Sequence, residues 1–140
     1  MSDRVLRSAV IAILVLCTAL GTLRSLGAQE QAAPLAAPPA PYDEGLFRLA
    51  EILGAVHYLR DLCGSAEGSL WRDQMQGIID AEEAEGERLA RFVDGFNRGY
   101  DGFRSVYRTC TPAATLAVDR YLREGARIAR DIAARYGREE

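Results

Sequence analysis

A chain of 140 residues with one histidine, three cysteines and a formal net charge of −3 has room for a single domain. Its mild acidity excludes a general nucleic-acid partner, because phosphate affinity requires clustered positive charge. All 17 basic residues are Arg and none is Lys, a preference too uniform to single out any position.

Residues 1–28 read as a secretory signal peptide. Arg4 and Arg7 supply the positive start, the run from Ala9 to Leu20 is apolar, and Leu26-Gly27-Ala28 ends on a small residue, which sets the mature start near Gln29. The alternative is an uncleaved anchor, the one case in which membrane contact is expected. A spanning helix needs about 20 apolar residues, and Gly21, Thr22 and Arg24 interrupt this run. A lipid anchor on Cys17 is excluded because Leu16 stands where a small residue is required. Residues 29–41 (QEQAAPLAAPPAP) hold four of the five prolines and read as a semi-extended Ala/Pro linker. The folded domain is expected over residues 42–140.

Four helices are expected there. The first runs from Asp43, whose carboxylate can cap it, to about Leu62. Leu46, Leu49, Leu53 and Val56 form its stripe, widened by Ile52, Leu59 and Leu62, and Gly64, Ser65 and Gly68 stop it. A short second helix spans about Ser69 to Glu83, with Trp71, Met75, Ile78 and Ile79 on one face. The third, from about Gly86 to Cys110, carries an aromatic-rich seam of Leu89, Phe92, Phe96, Tyr100, Phe103 and Tyr107. Gly95, Gly99 and Gly102 form a second row on it. Each glycine costs a helix about 1 kcal/mol against Ala, and close approach of another backbone is the simplest offset. Thr111 and Pro112 read as N-cap and first residue of the fourth helix, which ends before Gly137. Its core side is expected to be Leu116, Ala117, Tyr121, Ile128 and Ile132, kept slim by Gly125 and Ala129.

No segment alternates with period two, so the fold class is all-α, a small antiparallel bundle of about four helices. Once the signal is removed, two cysteines remain. In an oxidising compartment Cys63 and Cys110 are expected to form one disulfide, worth about 4 kcal/mol in the chain-entropy model. The first and third helices lie on a diagonal in a square bundle, too far apart for that bond. A flattened core of helices one, three and four, with helix two packed across it, is therefore expected.

The strings HYLRDLCG (His57–Gly64), WRDQM (Trp71–Met75), FNRGY (Phe96–Tyr100) and YRTCTPAA (Tyr107–Ala114) together resemble a family of small secreted alphaproteobacterial proteins that carry a domain of unknown function. The resemblance covers nearly all of residues 43–137. It implies an envelope location and a helical domain, and it implies no activity.

Candidate chemistry is sparse. His57 is the single histidine, so a His-rich metal site cannot form and no metal or cofactor is expected. Asp61, one turn on, can hydrogen-bond to its ring. A packed His57 is the plainer reading, with His57, Arg60, Trp71 and Arg108 kept as minor binding candidates. Trp71 and Tyr58 are the aromatic residues that exposure would make useful. No nucleophile motif is present. A cell-wall hydrolase acting through His57 and one of Glu51, Asp61 and Asp73 ranks third among the functions. The acids Asp80, Glu82, Glu83, Glu85 and Glu87 read as a solvated connector.

Charge is distributed unevenly. Residues 42–87 hold three Arg against eleven acids, and residues 88–140 hold eleven Arg against seven. Arg120, Arg123, Arg127 and Arg130 fall within about 80° of one another on the fourth helix. Glu124 and Asp131, interleaved with them, are expected to form intrahelical ion pairs. The same stripe is also the candidate binding surface, for an envelope protein or an anionic envelope component. The expected function is thus a non-enzymatic protein-interaction module, periplasmic or secreted. The alternative is a small-molecule or lipid carrier with its cavity beside Phe92, Phe96 and Phe103.

Overall fold

The structure is a computed structural model that describes residues 38–137. The expected signal peptide, the linker up to residue 37 and the last three residues of the chain lie outside the described residues. Four helices follow in an up-down-up-down order: α1 Asp43–Leu62, α2 Leu70–Ala81, α3 Gly86–Val106 and α4 Pro112–Tyr136. Together they form the expected all-α bundle.

The centre of the bundle is a helix rather than a seam between helices. Leu46, Phe47, Ala50, Ile52, Leu53, Ala55, Val56 and Leu59 are all buried, and they point to nearly every side of α1. A helix that is apolar all round belongs inside. α3 packs on one flank of α1, α4 on another, and α2 on a third. The backbones of α3 and α4 do not come within 8 Å of each other (Cα–Cα). They meet through side chains, Phe103 standing edge-on to Tyr121 at 5.2 Å. In the expected flattened core of helices one, three and four, α3 and α4 thus share α1 between them.

Parallel α1 and α3 approach most closely because two glycines permit it. A Cβ on Gly54 would lie 1.9 Å from the carbonyl oxygen of Phe96, and one on Gly99 would lie 1.9 Å from that of Glu51. Gly95 faces Phe47 and Ala50 at 3.2–3.3 Å. Gly102, expected in the same row, faces open space, so the row is two glycines long and its counterpart, Gly54, is on α1.

The helix ends follow local chemistry. Gly64, at φ +79°, closes α1: its N–H donates to Asp61 O and that of Ser65 donates to Arg60 O. α2 ends the same way, earlier than expected, with Glu83 at φ +47° and Ala84 N–H donating to Ile79 O. Asp43 does not cap α1. Its buried carboxylate accepts from Ala40 N–H at 3.0 Å and from Arg88 Nε and Nη2 at 2.9 and 2.7 Å. Arg88 also donates to Glu82 O and Oε2, so one guanidinium ties together the start of α1, the end of α2 and the start of α3.

α3 stops at Val106, four residues short of Cys110. Tyr107 takes an extended conformation, and its carbonyl accepts a hydrogen bond from Tyr58 Oη of α1. That contact draws the chain across the end of α1, where Cys63 and Cys110 form the expected disulfide with Cα atoms 4.8 Å apart. Thr111 Oγ1 then accepts from Ala114 N–H at 3.1 Å and caps α4, with Pro112 as its first residue. On α4 the buried positions are Ala114, Val118, Gly125 and Ile128. Leu116, expected in the core, is 58 % exposed on the outer side, because the contact with α1 begins at Ala114 and two residues later the helix has turned away.

Candidate functional site

The outer face of α4 carries a row of exposed basic residues. Leu116, Arg120, Arg123, Arg127 and Arg130 succeed one another at spacings of four and three, and all are exposed. The four guanidinium-bearing positions extend about 15 Å along the helix. Two acids are placed by sequence to neutralise them. Asp131 does so, accepting from Arg127 Nη1 at 2.9 Å. Glu124 does not. Its carboxylate is engaged across the bundle by Arg48 of α1, which donates through Nε at 2.8 Å and Nη2 at 3.0 Å.

This bidentate pair is the geometry in which guanidinium and carboxylate bond most strongly. The hydrogen bonds from Arg48 hold the Glu124 carboxyl below its usual range, with smaller effects from Arg127 and Arg120. Arg48 also contacts Glu51 at 3.1 Å and lies 5.3 Å from the Tyr121 ring centroid, which holds it in place. Among the described residues, Arg120, Arg123 and Arg130 have no acid within ion-pair distance. The expected set of intrahelical pairs is therefore half formed.

The minor candidates fall into three places. Arg60 and Trp71 come together on Glu67 where α1 meets α2, whereas His57 packs against α3. The His57 ring is half-buried beside Phe96 and Tyr100, with centroids 5.9 and 5.7 Å away. Burial lowers its pKa below the ordinary imidazole value, and Arg72 lowers it further against an opposing effect of Asp61. No hydrogen bond joins His57 to Asp61 among the described residues. Arg60 Nε donates to Glu67 at 3.1 Å, and Trp71 Nε1 donates to the same carboxylate at 2.6 Å. Trp71 is thus half-buried and tied down, as is Tyr58 through its hydroxyl. Arg108 stands exposed two residues before Cys110 of the disulfide.

The carboxylates considered for hydrolysis are spread out. Glu51 is engaged by Arg48, Asp73 accepts from Ser69 Oγ at 2.7 Å, and Asp61 is exposed. The aromatic seam of α3 is internally partnered: Phe92 is fully buried against Phe47 at 4.8 Å, Phe96 lies beside His57, and Phe103 packs between Tyr107 and Tyr121.

Sequence reasoning did not find Arg48, whose partner is 76 positions away, and no local signal marks such a pair. Among known proteins, one family model, described as a protein of unknown function (DUF2385), matches residues 41–136. No curated protein and no solved structure matches the chain.

Proposed function

We propose a function for this chain, which belongs to the family of proteins of unknown function (DUF2385) that its residues 41–136 match: it is a non-enzymatic interaction module of the cell envelope that docks an acidic protein segment on the outer face of α4. One observation carries the reading. Glu124, the acid best placed to quench the arginine row, is bonded by Arg48 instead, and among the described residues Arg120, Arg123 and Arg130 have no ion-pair partner. Leu116 adds an exposed apolar anchor at the head of the row. Arginine is favoured at such interfaces because its planar fork binds carboxylates bidentately and is weakly hydrated. An envelope location suits the cysteine pair, since disulfides persist in oxidising compartments, and it suits the expected signal peptide.

The carrier alternative needs unfilled volume beside Phe92, Phe96 and Phe103, and each of those rings already has an aromatic neighbour. The test is photo-crosslinking in intact cells from position 123 of the tagged full chain, followed by mass spectrometry. A reproducible acidic partner is expected, lost in Arg123→Glu/Arg130→Glu and weakened by added salt. Crosslinks that survive the double charge reversal, or none at all, overturn the reading.

A further inference from the structure

Two shallow grooves meet on α3. One, of about 290 Å³, runs between α1 and α3, walled by Arg48, Arg91 and Arg98 on one account of charge and by Glu44, Glu51 and Asp94 on the other, over Phe47. The second, of about 550 Å³, opens on the outer side of α3 where Gly102 has no side chain, next to Asn97 and Asp101. Asp94 and Arg98 line both.

Most of the charges in the first groove are already committed. Arg91 bonds Glu44 at 2.8 Å and covers the Phe47 ring at 3.9 Å, while Arg48 holds Glu51 and Glu124. Asp94 and Arg98 differ. They stand one turn apart on α3, in the acid-before-base order that favours pairing. Among the described residues, however, no ion pair joins them to each other or to anything else, and both are exposed.

The groove holds three cations and three carboxylates. A simple anion placed there meets the carboxylates, and a simple cation meets the arginines. A ligand bearing one charge of each sign avoids both penalties. The Cβ atoms of residues one turn apart are about 5–6 Å from each other, comparable to the span between the ammonium and carboxylate of a dipeptide. A site of this volume lies at the small end of ligand pockets, which also limits the ligand to something short.

We propose that Asp94 and Arg98 bind the two ends of a short zwitterionic peptide. The Asp94 carboxylate accepts from the terminal ammonium, and the Arg98 guanidinium donates two parallel hydrogen bonds to the terminal carboxylate. This site does not depend on the arginine row of α4, and the two can fail separately.

The test is an NMR titration of the ¹⁵N-labelled full chain with alanyl-alanine, alongside its N-acetylated and C-amidated forms. Saturable shifts are expected at the amides of Asp94, Asn97 and Arg98. Each capped peptide should bind at least tenfold more weakly, as should the free dipeptide to Asp94→Asn or Arg98→Gln, two exposed changes whose spectra report folding directly. Equal shifts from a fully capped peptide, shifts confined to α4, or no saturable response at about 20 mM dipeptide would each overturn the proposal. The capped peptides decide the matter on the unaltered chain, so an unfolded variant does not stall it.

Discussion

Glu83 adopts φ +47°, a conformation that costs a residue with a side chain about 1 kcal/mol. It is held there because Ala84, the next residue, is buried and packs on the end of α2. Glu83→Gly is expected to raise stability by about 1 kcal/mol in urea unfolding, since glycine takes the same turn without strain; a loss would mean that the carboxylate has a role of its own. His57 makes the opposite kind of contribution. Its pKa in the fold lies below the ordinary value because burial disfavours the imidazolium, with Arg72 adding to the effect. The unfolded chain therefore takes up a proton that the fold resists. The stabilisation is complete above the unfolded pKa of about 6.5 and is lost as pH falls through it. Unfolding free energy should drop between pH 7 and pH 5 in the wild type and drop less in His57→Gln. Parallel pH profiles would show that the ring is not shielded.

Element by element, the pairing of α1 with α3 bears the tightest constraint. Gly54 and Gly99 each sit where a Cβ would enter a backbone carbonyl of the other helix. Gly99→Ala and Gly54→Ala are each expected to cost about 3 kcal/mol or more, because a packed backbone cannot yield as the end of a flexible side chain can. Gly102→Ala, one turn further along α3 and facing open space, should instead gain about 1 kcal/mol from helix propensity alone. Thermal unfolding of the three variants reads the contrast. A Gly99→Ala protein as stable as Gly102→Ala would mean that α1 and α3 stand further apart than this geometry requires.

For the whole molecule, two ties hold the ends of the bundle. Arg88 joins three helices at one pole through Asp43 and Glu82, and the disulfide joins Cys63 and Cys110 at the other. Around the second pole Leu59, Ala114 and Val118 form a small apolar cluster against which Cys63 packs. The bond spans a separation of 47 residues, so its loss is expected to cost about 4 kcal/mol. Cys63→Ser and Cys110→Ser should lower stability equally, and the double variant should lose nothing further. Additive losses would mean that each sulfur acts alone. A domain of this size has only about 5–15 kcal/mol of total stability, so the single variants should also unfold at markedly lower temperature.

Sequence alone determined what depends on near neighbours and on counting. Thr111 and Pro112 announce α4, Gly64 closes α1, and within the helical domain Cys63 and Cys110 have only each other. These features were legible because a cap, a left-handed turn or a cysteine inventory involves a few residues or none beyond the chain itself. The tertiary structure decided which faces look outward and which charges find partners. α1 carries apolar residues on nearly every side, so no stripe on it could reveal that it is the centre. Gly102 repeats the spacing of Gly95 and Gly99, yet α1 does not run past it. Leu116 looks like core by composition and stands outside because the contact of α4 with α1 begins two residues earlier. Glu124 had arginines within one turn on its own helix and bonds Arg48 of α1 instead. An exposed pair within one helix gains only a few tenths of a kcal/mol, whereas a half-buried bidentate pair across a packed interface is ordered by the packing itself. That choice, invisible in the sequence, is what leaves the arginine face of α4 open.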